Sequence, residues 1–107
     1  MMDTGKPVVI RDEIDYINGG IASKQLLECK EGNITLFAFD KGQGLTEHTS
    51  PFNALVQVIE GAAEISIGGN LNSVSEGESI LLPADIPHAL TATENFKMIL
   101  TMIKCNA

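Results

Sequence analysis

A chain of 107 residues has room for one domain, and 44% apolar against 20% charged residues is a globular balance that excludes a disordered chain. Seven Lys and Arg against 14 Asp and Glu leave a net charge of -7, which repels the phosphate backbone and anionic lipid. Neither nucleic acid nor membrane is an expected partner. The longest nearly apolar windows, 80–82 and 98–103, fall far short of the roughly 20 residues that span a bilayer.

Residues 1–7 carry no apolar run behind a basic start, so no signal peptide is expected and a cytoplasmic location is. Residues 1–6 read as a loose terminus and 7–107 as a single domain. Asp12, then Asp15, with Ile14 and Ile17 on one side, predict a short capped helical turn that Gly19-Gly20 ends. Ile21, Leu26 and Leu27 follow neither a helical nor a strand period, so 21–29 stays unassigned. From there the apolar period is two. Strands are expected near 33–40, 53–60, 63–67, 71–75, 79–82, 88–93 and 96–102, with turns at 42–44, 68–70 and 76–77. Short strands between Gly-rich turns suit a sandwich or barrel.

Strand 53–60 places Ala54, Val56 and Val58 on one face and Leu55, Gln57 and Ile59 on the other, so neither face suits water. The outer cover is either the N-terminal segment or a second subunit. With Leu55, Ile59, Ile99 and Ile103 as the outward apolar set, a two-fold homodimer is the expected assembly. Cys29 and Cys105 lie too far apart for a metal motif and are expected as reduced thiols, a disulfide being the alternative.

The chemistry rests on few residues, because His48 and His88 are the only histidines. Gly42 to Ser50 opens a strand that holds His48, and Gly61 follows the next strand as a turn residue. Gly77 then precedes Glu78-Ser79-Ile80-Leu81-Leu82-Pro83, and His88 follows Ile86-Pro87. In this order and spacing the chain resembles the cupin family over roughly 33–104. Gly42, His48 and Gly61 fall on the first family motif (42–61), while Gly77, Pro83 and His88 fall on the second (77–92). The resemblance implies an all-β fold, a cupin (RmlC-like) double-stranded β-helix or jelly-roll barrel, and it places both histidines on ligand positions. It also points to a dimer. Four positions depart from the pattern: Ser50 replaces the second His, Ala54 the Glu, Ala92 the closing Asn and Asp85 the Gly of the Pro-x-Gly turn.

Three readings of the histidines stay open. In one, His48 and His88 hold a divalent transition metal (Zn, Ni, Fe or Mn), with water in the positions that Ser50 and Ala54 leave. In another, His48, Ser50 and His88 hydrogen-bond a small organic ligand on otherwise apolar barrel walls. In the third they are core histidines satisfied by backbone groups. The leading function is accordingly a single-domain cupin that binds a small organic ligand inside the barrel, with no reaction assigned because the fold hosts many. The alternatives are a metal-dependent oxygenase or isomerase on a two-His site and a structural or oligomeric module with a filled barrel. Both imidazoles are expected on one inner surface, about 5 Å apart. Alternation directs Glu47 away from His48. Asp85 is expected to bond its own turn backbone, or else to serve as a rim carboxylate. Met98 and Met102 share one strand face, as core filler or as pocket lining.

Overall fold

The computed structural model describes residues 2–105, and these form two antiparallel sheets. The strands are β1 (Ile21–Cys29), β2 (Gly32–Phe39), β3 (Gly44–His48), β4 (Asn53–Glu60), β5 (Ala62–Ile67), β6 (Asn70–Ser75), β7 (Ser79–Leu82), β8 (His88–Ala92) and β9 (Phe96–Ile103). One sheet runs β1-β2-β9-β4-β7 and the other β3-β8-β5-β6. The fold is thus the all-β jelly-roll barrel that the resemblance implied, and a barrel as the alternation suggested. Gly61 is the residue that lets the chain pass from one sheet to the other. Its φ is +76°, and a Cβ there would collide with the Asn95 carbonyl.

The inner faces meet in one cluster. Ala54, Val56 and Val58 of β4 pack with Met98 of β9 against Ala63 and Ile65 of β5 and Leu90 of β8. Along β9 the inner face changes character, because Phe96 stacks on Phe39 at 4.6 Å between ring centres while Met98, Leu100 and Met102 line a cavity. Aromatic fill closes one end, and the other stays open.

The outer face of the five-stranded sheet has its own cluster, in which Ile14 covers Leu26, Leu36 and Ala38, with Ile10, Tyr16, Ile59 and Ile99 packed beside them. The expected N-terminal helical turn is present, with its position and cap corrected, and the unassigned segment gains a structure. The helical turn is a 3-10 helix at Ile10–Glu13 without a side-chain cap, and Ile14 is already extended at φ -147° and ψ 143°. Burial of the Ile14 side chain on the sheet outweighs the local helical signal of Asp12 and Asp15. Residues 21–29 form a strand whose register slips between Gln25 and Leu27, and that bulge erases the period of two. Of the outward set, Ile59 and Ile99 lie under the N-terminal segment, whereas Leu55 is half-buried and Ile103 is exposed beyond it. Cys29 and Cys105 are free and exposed, so no disulfide joins them.

A polar latch fixes the segment. The Lys97 side chain lies buried beneath it, with Nζ donating to the Arg11 carbonyl at 2.7 Å, 3.8 Å from the Glu60 carboxylate and 5.0 Å from the centre of the Tyr16 ring. The Tyr16 hydroxyl donates to the same Glu60 carboxylate. Burial first, and then Glu60 as acceptor and as negative charge, push the Tyr16 phenol well above its ordinary 10.0. The unfolded chain releases that proton near pH 10 and the folded chain does not, so the contribution is complete below about pH 10 and lost as pH rises above it. Tyr16→Phe should cost about 1 kcal/mol at neutral pH and flatten the loss of stability above pH 10. Urea unfolding across pH 8–11 checks this, and the phenolate absorbance of the sole tyrosine reports its titration directly.

Candidate functional site

The open end of the barrel holds a cavity of about 230 Å³ between the sheets. Val56, Leu82, Met98, Leu100 and Met102 supply one wall, and Leu45, Ile65 and Leu90 the other. Its polar side chains are His48, Ser50 and His88. The structure therefore brings together the three residues singled out in the sequence. Met98 and Met102 are lining residues, and Ala54 lies in the same wall.

His48 reaches this surface through an irregularity. Leu45 pairs with Leu90 and His48 with His88, so β3 advances three residues where β8 advances two. The extra residue is a bulge that turns both Leu45 and His48 inward, which strict alternation forbids. The two imidazoles meet edge to face at 4.4 Å between ring centres. His88 is half-buried and His48 exposed, which sets the pair at the cavity mouth.

Each ring is oriented by its own backbone. His48 Nδ1 lies 2.7 Å from the Thr46 carbonyl and His88 Nδ1 lies 3.2 Å from the Ile86 carbonyl. A carbonyl only accepts, so both Nδ1 atoms carry a proton, and the neutral tautomer that matches these contacts has its lone pair on Nε2. Ser50 Oγ accepts from the Phe52 N–H at 3.1 Å, which leaves its own O–H to donate. The Ser50 carbonyl accepts from the Asp85 N–H at 2.8 Å and ties the two mouth loops together.

The residue range 35–104 matches the family model for the cupin domain. This chain belongs to the cupin family. Among solved structures, the chain is similar to a conserved Streptococcus pyogenes protein of unknown function, with 37% identity and a TM-score of 0.93 over 99% of this chain and 93% of that one. It is 40% identical to a cupin 2 conserved barrel domain protein from Leptotrichia buccalis, with a TM-score of 0.85 over 88% of this chain. It spans only 46% of that protein. A cupin superfamily protein from Desulfitobacterium hafniense, at 20% identity and a TM-score of 0.91 over 97% of this chain and 95% of that one, shares the fold. No curated protein matches the chain.

Against the cupin ligand pattern the donor set is short. Catalytic transition-metal sites use three protein ligands, and here two imidazoles are joined by a neutral hydroxyl and the methyl of Ala54. No group of three His, Cys, Asp or Glu among the described residues is placed to hold a metal ion. The side chains present do not fit a resident metal. Glu47 is exposed and absent from the cavity wall.

Asp85 departs from the cupin pattern for a reason the backbone reveals. With φ at 65° it is the sole non-glycine residue in the left-handed region among those described, at the position where cupins carry glycine. Asp tolerates that region better than most side chains and branched residues do not. Asp85→Val should destabilise the fold by about 1–2 kcal/mol and Asp85→Gly by less than about 0.5, as measured by chemical unfolding.

Proposed function

We propose that this cupin binds a small organic ligand inside its barrel, with His48, Ser50 and His88 as the polar contacts. The observation that carries the reading is the composition of the cavity, apolar everywhere except for three groups gathered at its mouth. Small-ligand sites have that character, with burial supplying affinity and a few placed polar groups supplying orientation. The metal-dependent oxygenase or isomerase reading requires donors that Ser50 and Ala54 do not supply, and the filled-barrel reading requires side chains where the cavity lies.

Elemental analysis of protein purified without a metal-affinity tag separates these readings. Substoichiometric zinc, nickel, iron and manganese is the expected result, and full occupancy that survives dialysis against chelator would overturn the proposal. Ala54 lines the same cavity as both histidines, so Ser50→His with Ala54→Glu should rebuild a four-donor set. Affinity for zinc in that double variant should rise by at least tenfold, read by calorimetric titration.

The same protein is proposed to work as a homodimer. Leu81 of β7 pairs with Leu55 of β4, and Ile103 of β9 pairs with Asn53 beside it, so these three apolar residues share the outer face that the N-terminal segment leaves open. Leu81 is 60% and Ile103 53% exposed. Burying them with their neighbours at about 25 cal/mol per Å² contributes several kcal/mol towards the cost of association. The net charge of -7 per subunit opposes pairing only within about 8 Å at physiological salt. Sedimentation at roughly 100 micromolar, well above ordinary interface dissociation constants, should give twice the 11.4 kDa of one chain, and Leu81→Lys should return it to that value.

A further inference from the structure

We infer that the cavity selects its ligand by a hydrogen-bond-donating head, a hydroxyl or an amine on an apolar body, and discriminates against carboxylates. This rests on reading the cavity as a ligand site and adds the chemical class of the occupant. The argument starts from the protons. Both Nδ1–H groups are committed to the carbonyls of Thr46 and Ile86, so the ring atoms left for a ligand are two Nε2 lone pairs. Lone pairs bind donors. Ser50 Oγ already accepts from the Phe52 N–H, so its O–H is the mouth's one side-chain donor.

A hydroxyl head matches this set, since it donates to one imidazole and accepts from Ser50. An amine matches it by donating to both rings. A carboxylate offers acceptors alone, and it would set its charge against two lone pairs with no Lys or Arg in the cavity wall and a net charge of -7 on the chain. A bare hydrocarbon gains burial but leaves the mouth unpaired.

Volume bounds the body. A dry cavity of about 150 Å³ accommodates benzene, so about 230 Å³ takes on the order of nine heavy atoms, one substituted six-membered ring. This is below the roughly 300–1,000 Å³ of sites for drug-sized ligands. The occupant is a small aryl or alkyl alcohol or amine rather than a sugar or a nucleotide, whose many hydroxyls would meet the apolar walls.

The test is a ligand-observed NMR titration of the full chain with four probes that share one ring and one exocyclic carbon: benzyl alcohol, benzylamine, toluene and benzoate. Benzyl alcohol and benzylamine should bind at least about fivefold more tightly than toluene, the factor that one net hydrogen bond supplies, and benzoate should be the weakest. Toluene or benzoate binding as tightly as benzyl alcohol overturns the donor-head inference while leaving the cavity reading in place. Failure of all four to bind overturns the cavity reading and the inference with it. His48→Leu and His88→Leu should each reduce the preference for benzyl alcohol over toluene, with toluene affinity held within about twofold. The four-probe comparison stands without them should either variant fail to fold. Side-chain ¹⁵N spectra should show protonated Nδ1 in both rings, with the Nε2 signals moved by benzyl alcohol and not by toluene. A protonated Nε2 in either free ring would overturn the assignment.

Discussion

Strand β4, flanked by β9 and β7, carries Val56 and Val58 on one side and Leu55 and Ile59 on the other, so the five-stranded sheet needs a cover on each face before it is stable in water. The four-stranded sheet covers the inner face and the N-terminal segment covers part of the outer one. The site exists because the inner cover is incomplete. At one end Phe39 and Phe96 fill the space between the sheets, whereas at the other Met98, Leu100 and Met102 oppose Leu45 and Leu90 across a gap. The cavity is thus a consequence of how β9 distributes bulk along its length.

The outer cover depends on a buried charge. Lys97 neighbours Met98 on β9 and therefore points the opposite way, into the outer face, where its ammonium would be costly without partners. The Arg11 carbonyl, the Glu60 carboxylate and the Tyr16 ring supply them. Since Glu60 is the β4 partner of Lys97, the pair is set by sheet register, and the N-terminal segment closes over a polar centre already in place. Specific polar contacts then hold the segment in one position, which apolar burial alone does not dictate.

Much of this was legible in the sequence. Strand 53–60 is legible with its bounds and both faces, because regular pairing with β7 and β9 preserves the period of two over most of its length. The elements that escaped are those where pairing is irregular. β1 was unreadable because its bulge near Leu26 shifts the inward positions by one residue, and the helical turn was misplaced because Ile14 is drawn out of it by contacts far away in sequence. The site shows the same division. Motif spacing placed His48 and His88 together, but alternation from Leu45 would have turned His48 outward, and the β3 bulge that prevents this has no signature in residue type. Leu45, Ile65 and Leu90 are not legible as cavity walls, because parity separates inside from outside without separating filled from open.

The loss of donors from the cupin pattern has a physical counterpart in the rest of the wall. Ala54 is 5% exposed, and a carboxylate at such a position with no cation beside it would lose several kcal/mol of hydration. An alanine there goes with an apolar cavity, just as a glutamate goes with a metal. The histidines follow the same logic. Each satisfies its Nδ1–H on the carbonyl two residues before it, and no buried side-chain polar atom among the described residues lacks a partner. The mouth is therefore oriented in advance of any occupant, with its ring positions set by short-range backbone contacts. Groups fixed in this way spend little entropy on binding, so one or two hydrogen bonds at the mouth are enough to sort ligands that the walls accept equally.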